Sequence, residues 1–213
     1  MRAGVEGSQT IAWEVLEAIG RDYSSVPAVH NHGLGNLFIQ VGGGALGAGL
    51  VQGFQRALEG ELSSVVPQSL HMSVLPKIFT VQPVGNAPLH RALSLMKQDN
   101  VMDAEVAAQT RARYMFPWEN PHSIAHGILD DETYDWVPLV SGMLKTNGEA
   151  LLVEDEPISA AKSFAEDTFG LNPCHTGSAG LAGMMEYKAA TGDESVNLVI
   201  LSGLDRSSTR TIS

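Results

Sequence analysis

The sequence predicts an α/β fold: three layers, with a mostly parallel sheet carrying helices on both faces, over residues 1–213 as a single domain. Short apolar runs rich in β-branched residues alternate with longer amphipathic stretches. The runs lack polar alternation, so both faces of the sheet should be covered. Turn signals, above all glycine, punctuate the helical stretches. A chain of 213 residues, 44% apolar and 17% charged, is long enough for one core of that kind.

The first helix is expected over residues 8–20, with Ser8 as its cap and Gly20 as its stop. Residues 37–41 (Leu-Phe-Ile-Gln-Val) read as a strand, and residues 46–59 as the helix after it. A second strand over residues 78–83 leads to a helix over residues 87–98. Residues 99–120 have weak periodicity, and Pro117, Trp118 and Pro121 sit at their end, so an irregular crossing segment is expected there. The acidic run Asp130-Asp131-Glu132 favours a helix start through the helix dipole, giving a helix over residues 131–145, with Gly148 after it. A strand over residues 150–153, helices over residues 156–169 and 176–191 followed by Gly170 and Gly192, and a last strand over residues 196–202 complete the reading. Trp13, Trp118 and Trp136 occur singly and read as packing residues.

Charge and composition exclude several functions. Thirteen Lys plus Arg against 24 Asp plus Glu leave a net charge of −11, and no basic cluster offers a phosphate-neutralising face. Nucleic-acid and anionic-membrane partners are therefore not expected. The single Cys174 has no internal partner, and the first residues lack the apolar run of a signal peptide, which points to the cytoplasm. Residues 26–55 are nearly uncharged but are interrupted by His30, Asn31, His32 and Gln40, so they are not a membrane span.

The sharpest feature is the strand at residues 37–41 running into Gly42-Gly43-Gly44-Ala45-Leu46-Gly47 and then a helix. Such a loop presents bare backbone N–H groups at the positive end of a helix dipole, which suits an anion and most naturally a phosphate. The alternative is a tight turn whose small residues only let the helix pack on the sheet. The spacing Gly42-x-Gly44-x-x-Gly47 also fits the dinucleotide fingerprint. That fingerprint needs an acidic residue at the end of the next strand, where this chain has Gln82-Pro83.

Other candidates have simpler readings. Cys174-His175 before a helix suggests a thiolate, but adjacent side chains rarely face each other, and a small packed cysteine is commoner. His122 and His126 have zinc spacing without a third ligand. His30-Asn31-His32 reads as a solvated connection before the glycine loop.

Five stretches, taken in order, resemble the fold-type II pyridoxal-phosphate enzymes, the group of threonine dehydratase, threonine synthase and diaminopropionate ammonia-lyase. Glu6-Gly7-Ser8-Gln9-Thr10-Ile11-Ala12 resembles that family's helix start ahead of the glycine loop. Val41-Gly42-Gly43-Gly44-Ala45-Leu46 is similar to its phosphate loop, with Ala45 for the last glycine, and Val81-Gln82-Pro83 to its Val-Glu-Pro strand end. Ser123-Ile124-Ala125-His126-Gly127-Ile128 resembles a Thr-Ile-Ala-Asp-Gly segment beside the pyridine ring, with His126 where Asp is usual. Ile200-Leu201-Ser202-Gly203 resembles the strand end whose hydroxyl meets the pyridine nitrogen; beside these five, Thr176-Gly177-Ser178-Ala179-Gly180 also fits the small-residue helix start before it.

The resemblance implies pyridoxal 5′-phosphate as cofactor and a β-elimination or replacement on a small amino acid such as threonine, serine or diaminopropionate. It implies phosphate contacts from the main chain of Gly42, Gly43, Gly44, Ala45 and Leu46. Ala125 and Gly127 would lie along the ring, Thr176 and Ser178 would border the same cavity, and Ser202 would meet the ring nitrogen, with no catalytic residue assigned. In this family a lysine ahead of the glycine loop holds the cofactor as a Schiff base. All five lysines here (Lys77, Lys97, Lys145, Lys162 and Lys188) lie after the loop. The chain therefore resembles the carboxy-terminal half of such an enzyme, binding the cofactor non-covalently at most. Association with itself or with a complementing amino-terminal half is the partner it implies. A non-catalytic remnant or assembly subunit of this fold, and a nucleotide-binding Rossmann-like domain, are the competing readings.

Overall fold

The computed structural model describes residues 2–21, 34–59 and 75–206. Four strands form one parallel sheet in the order β3-β2-β1-β4. They are β1 (Asn36–Gln40), β2 (Lys77–Pro83), β3 (Glu149–Val153) and β4 (Asn197–Val199). Register is set by Leu37 opposite Ile78 and Leu198, and by Val81 opposite Leu151. Helices α1 (Arg2–Arg21), α2 (Ala45–Leu58), α3 (Pro88–Gln98), α4 (Ala104–Gln109), α5 (Arg111–Tyr114) and α6 (Trp136–Thr146) precede β3. Helices α7 (Asp155–Phe169) and α8 (His175–Thr191) lie between β3 and β4.

Strand alternation sorts the core into two clusters. Leu37, Ile39 and Val41 pack on one side with Leu50, Phe54, Leu139, Trp136 and Met143 from α2 and α6. Phe38 faces the other side, stacked on Phe79 at 4.7 Å, with Tyr187 of α8 against Phe79 at 4.5 Å. Val81, Val153, Ile158, Ala161, Ala165, Ala179 and Ala182 form the second cluster, beneath α7 and α8. Helix α8 lies close to the strands because Gly180 and Gly183 face them: a Cβ at Gly183 would stand 2.5 Å from Val81 Cγ2. Both faces of the parallel sheet are thus covered, as the unbroken apolar runs predict.

Several expectations need correction. Ser8 does not open the first helix; its Oγ donates to Gly4 O at 2.8 Å within a helix that begins at Arg2, where α1 packs against Gly49 and Gly53 of α2. Residues 99–120 contain α4 and α5, because Asp103 Oδ1 accepts from Glu105 N at 2.8 Å and Val106 N at 3.2 Å as a helix cap. The acidic run does not cap α6, which begins at Trp136. Asp131 instead accepts from the Tyr134 hydroxyl at 2.9 Å, and Glu132 pairs with Arg111. The last strand stops at Val199, since the chain then turns to the start of α8, where Cys174 N donates to Gly203 O at 2.9 Å.

Gly170 and Gly192 do close α7 and α8 with positive φ. Trp136 is buried, Trp13 is half-buried, and Trp118 lies beside the Arg91 guanidinium rather than in the core. His30-Asn31-His32 lies outside the described residues. Among the described residues no helix is long and apolar enough to cross a membrane.

Candidate functional site

Between β1 and β4 the strand order reverses, because the chain passes from β3 on one edge to β4 on the other side of β1. In open α/β sheets the crevice at the carboxyl ends of such strands is where ligands sit. Here a cavity of about 350 Å³ opens at that point, a volume that suits a small cofactor.

Its floor is the glycine loop. Gly44 holds φ +97°, a conformation that side-chain-bearing residues avoid, and it precedes α2 with no side chain capping the helix. Gly44 O accepts from Ala48 N at 2.8 Å and Gly43 O from Asp135 N at 3.0 Å, so the loop's carbonyls are tied back into the fold. No acceptor among the described residues meets the N–H groups of residues 42–46. The neighbours press closely: a Cβ at Gly42 would run into the Asp130 carboxylate and Ile128 Cα, and one at Gly44 would lie 2.9 Å from Thr133 Cγ2. A row of unpaired donors at a helix N-terminus, open to a cavity, is an anion cradle.

Of the ten residues expected at the site, eight line this one cavity: Gly42, Gly43, Gly44, Ala45, Leu46, Gly127, Thr176 and Ser202. Thr176 Oγ1 accepts from Gly127 N at 2.9 Å, joining the start of α8 to the short 3₁₀ turn His126–Ile128. That turn is anchored by Asn86, whose Nδ2 donates to Ile128 O at 3.1 Å and Asp130 O at 2.9 Å. The other two residues are elsewhere. Ala125 is fully buried in the second core cluster, and Ser178 turns its hydroxyl to Cys174 O at 3.0 Å inside the first turn of α8. Both lie one or two positions from a lining residue, and the helical or turn geometry rotates them away from the cavity.

Six lining residues lie outside that expectation: Gln40, Val41, Gly47, Ile128, Tyr134 and Asp135. Gln40 carried a signal, as the polar residue in an otherwise apolar strand. Its Nε2 donates to Ser202 Oγ. Tyr134 donates to Asp131, and that bonded carboxylate, above all, raises the phenol above its ordinary range. No lysine or arginine is among the lining residues.

The remaining candidates resolve into structural roles. Cys174 Sγ accepts from Gly177 N at 3.5 Å as the cap of α8, while His175 Nε2 approaches Ser159 Oγ at 3.5 Å, so thiol and imidazole serve different neighbours. His122 and His126 are exposed, and no group of three potential metal ligands occurs among the described residues. Gln82 is fully buried: its Oε1 accepts from Leu89 N at 2.9 Å and His90 N at 3.1 Å, and its Nε2 donates to Val41 O at 3.1 Å and Thr133 Oγ1 at 3.5 Å. A side chain so engaged has no capacity left for ribose hydroxyls, which counts against the dinucleotide reading.

A family model described as "Pyridoxal-phosphate dependent enzyme" matches residues 2–203. Among solved structures, a threonine deaminase from T.th. superposes with a TM-score of 0.64 at 20% identity, covering 95% of this chain and 57% of that one. Threonine deaminase isoform 2 from Solanum lycopersicum, in its processed form, gives 0.63 at 20% identity over 96% of this chain and 47% of that one. Maize serine racemase gives 0.61 at 18% identity over 95% and 49%. The chain thus spans about half the length of the solved structures it matches. No curated protein sequence matches it.

Proposed function

This chain belongs to the pyridoxal-phosphate dependent enzyme family, and on that premise we propose that its cavity seats pyridoxal 5′-phosphate as part of a lyase-type site for a small amino acid such as threonine, serine or diaminopropionate. The observation that carries the reading is the row of unpaired N–H groups at residues 42–46, opening on the cavity that also contains Ser202. The residues fit the group. Bare amides suit a phosphate dianion, the volume suits a substituted pyridine, and a neutral hydroxyl faces the place for its nitrogen.

Bound there, the cofactor supplies an electron sink for carbanionic chemistry. The chain's own residues bind and orient. The amides of Gly42, Gly43, Gly44, Ala45 and Leu46 hold the phosphate, and Ser202 holds the ring edge. The main chain at Gly127, tied down by Thr176, flanks the ring. Ala125 and Ser178 act one layer behind, Ala125 packing beneath the 3₁₀ turn and Ser178 fixing the first turn of α8. With no lysine among the residues lining the cavity, these residues bind the cofactor non-covalently, and the amine for covalent capture and proton transfer comes from outside them, as from an amino-terminal half of the fold.

Exposed apolar side chains support such association, with another copy or with a separate amino-terminal half. Phe164, Phe169, Leu171 and Leu204 are 40%, 58%, 49% and 61% exposed, and among the described residues β3 and β4 are the edge strands of the sheet. A species that sediments as a dilution-stable monomer would contradict that part.

Equilibrium dialysis with pyridoxal 5′-phosphate, followed by borohydride reduction and peptide mapping, tests the site. One bound cofactor per chain without stoichiometric labelling of any one lysine is the expected result. Binding of a nicotinamide dinucleotide with no response to pyridoxal 5′-phosphate would overturn the reading in favour of a nucleotide site.

A further inference from the structure

Strand β1 enters the glycine loop with Gln40, whose side chain is 3% exposed. Strand alternation places it on the α8 face, next along from Phe38. There its Nε2 donates to Ser202 Oγ, while its Oε1 has no partner. The amide fits because α8 has glycine opposite: a Cβ at Gly180 would stand 2.7 Å from Gln40 Oε1.

Which end of the amide faces Ser202 follows from what each choice leaves unpaired. With Nε2 on Ser202, one carbonyl oxygen against Gly180 and the second N–H are left unsatisfied, one donor fewer than in the other orientation. Turned over, the NH₂ group would be buried against Gly180 with its donors unpaired, and orphaned buried donors are rarer than under-used carbonyl oxygens. A serine hydroxyl has one proton and accepts through its lone pairs. Accepting from Gln40 leaves that proton free to point into the cavity, which Ser202 and Gln40 both line.

Resting on the reading of the cavity as a pyridoxal-phosphate site, we propose that Gln40 is a positioning residue that fixes Ser202 as a hydrogen-bond donor, so that the site selects the cofactor with its ring nitrogen unprotonated. The opposite amide orientation would draw the Ser202 proton toward Gln40 and offer the ring only lone pairs, which match a protonated nitrogen. The serine alone does not determine the ring's protonation state; the strand residue behind it does.

The probe is pyridoxine 5′-phosphate labelled with ¹⁵N in the ring, whose alcohol cannot react with surface lysines. Its ¹⁵N chemical shift is read on the wild-type chain, on Gln40→Glu and on Gln40→Met. The wild type should give the shift of an unprotonated ring across the neutral range. Gln40→Glu, whose carboxylate accepts a hydrogen bond from the Ser202 hydroxyl and turns its proton from the ring, should move the shift toward the protonated value. Gln40→Met keeps the length, adds no buried charge, and should bind the probe up to about tenfold more weakly because the hydroxyl is no longer oriented. A protonated ring on the wild type overturns the inference and leaves the cofactor site standing. So does a shift and affinity that neither variant changes. Failure of the wild type to bind the probe overturns the cofactor reading itself, and this inference with it.

Discussion

Replacing Gly44 by alanine isolates what the loop requires of its backbone. Gly44 sits at φ +97°, and an L-residue held in the left-handed region is destabilised by roughly 1–2 kcal/mol. The new Cβ would also lie 2.9 Å from Thr133 Cγ2, 3.3 Å from Leu139 Cδ1 and 3.4 Å from the Asp135 carbonyl carbon. Thr133 and Leu139 are fully buried, so neither has solvent to move into, and overpacking of that kind adds about 1–3 kcal/mol. The natural control is Gly170→Ala, at φ +65° with nothing within 4 Å of the added carbon, which carries backbone strain alone. Both variants lose the same unfolded-chain entropy, so their difference reports the packing around the loop together with the extra strain of φ +97° over +65°, at least about 1–3 kcal/mol. In urea, with a slope near 2–3 kcal/mol per molar, the Gly44→Ala midpoint should fall about 0.3–1.5 M below that of Gly170→Ala. Coincident midpoints would refute the claim that residues 133–139 close on the loop and hold its amides in place.

Three further perturbations probe the same framework. Gln82→Leu strips the acceptor from Leu89 N and His90 N and should cost about 2–3 kcal/mol of unfolding free energy; a neutral result would show that α3 finds another cap. Asp130→Asn removes the carboxylate lying against Gly42 and Gly43 and should tighten pyridoxine 5′-phosphate binding about fivefold at low salt, with the gain shrinking at high salt; weaker binding would contradict the repulsion. Asp193 is pulled down from 3.8 to about 2, chiefly by its hydrogen bonds from Ser195, with Asn36 assisting. Its stabilisation is therefore full above the ordinary carboxylate value and lost as pH falls through about 4 to about 2. Protection of the β4 amides, measured against their intrinsic exchange rates, should fall over that interval in the wild type and become independent of pH in Asp193→Asn.

Much of the fold was legible because the signals were local and redundant. Mostly apolar runs at residues 37–41 and 78–83 became the two central strands, and Gly170 and Gly192 closed their helices by the left-handed cap that glycine favours. The acidic run at residues 130–132 misled because its charges are taken by tertiary partners: Arg111, 21 residues back, and Tyr134. Residues 99–120 hid two short helices because neither spans enough turns to show periodicity.

At the site, the contiguous loop was readable, and so were Gly127, Thr176 and Ser202, each adjacent to a recognisable turn or strand end. Ala125 and Ser178 share those motifs, yet a rotation of one or two positions turns them from the cavity, and motif matching does not resolve rotation. Gln40 and Asp135 enter through pairings between distant segments, Gln40 with Ser202 and Asp135 N with Gly43 O. No spacing in the chain announces such a pairing.

The central claim is that bare amides at residues 42–46 hold a phosphate. Backbone ¹⁵N–¹H spectra recorded during parallel titrations with pyridoxine 5′-phosphate and with unphosphorylated pyridoxine test it directly. The amide protons of Gly42, Gly43, Gly44, Ala45 and Leu46 should move downfield with the phosphorylated ligand, and respond at least about a hundredfold more weakly to pyridoxine. Unmoved loop amides while other resonances shift, or equal responses to the two ligands, would contradict it.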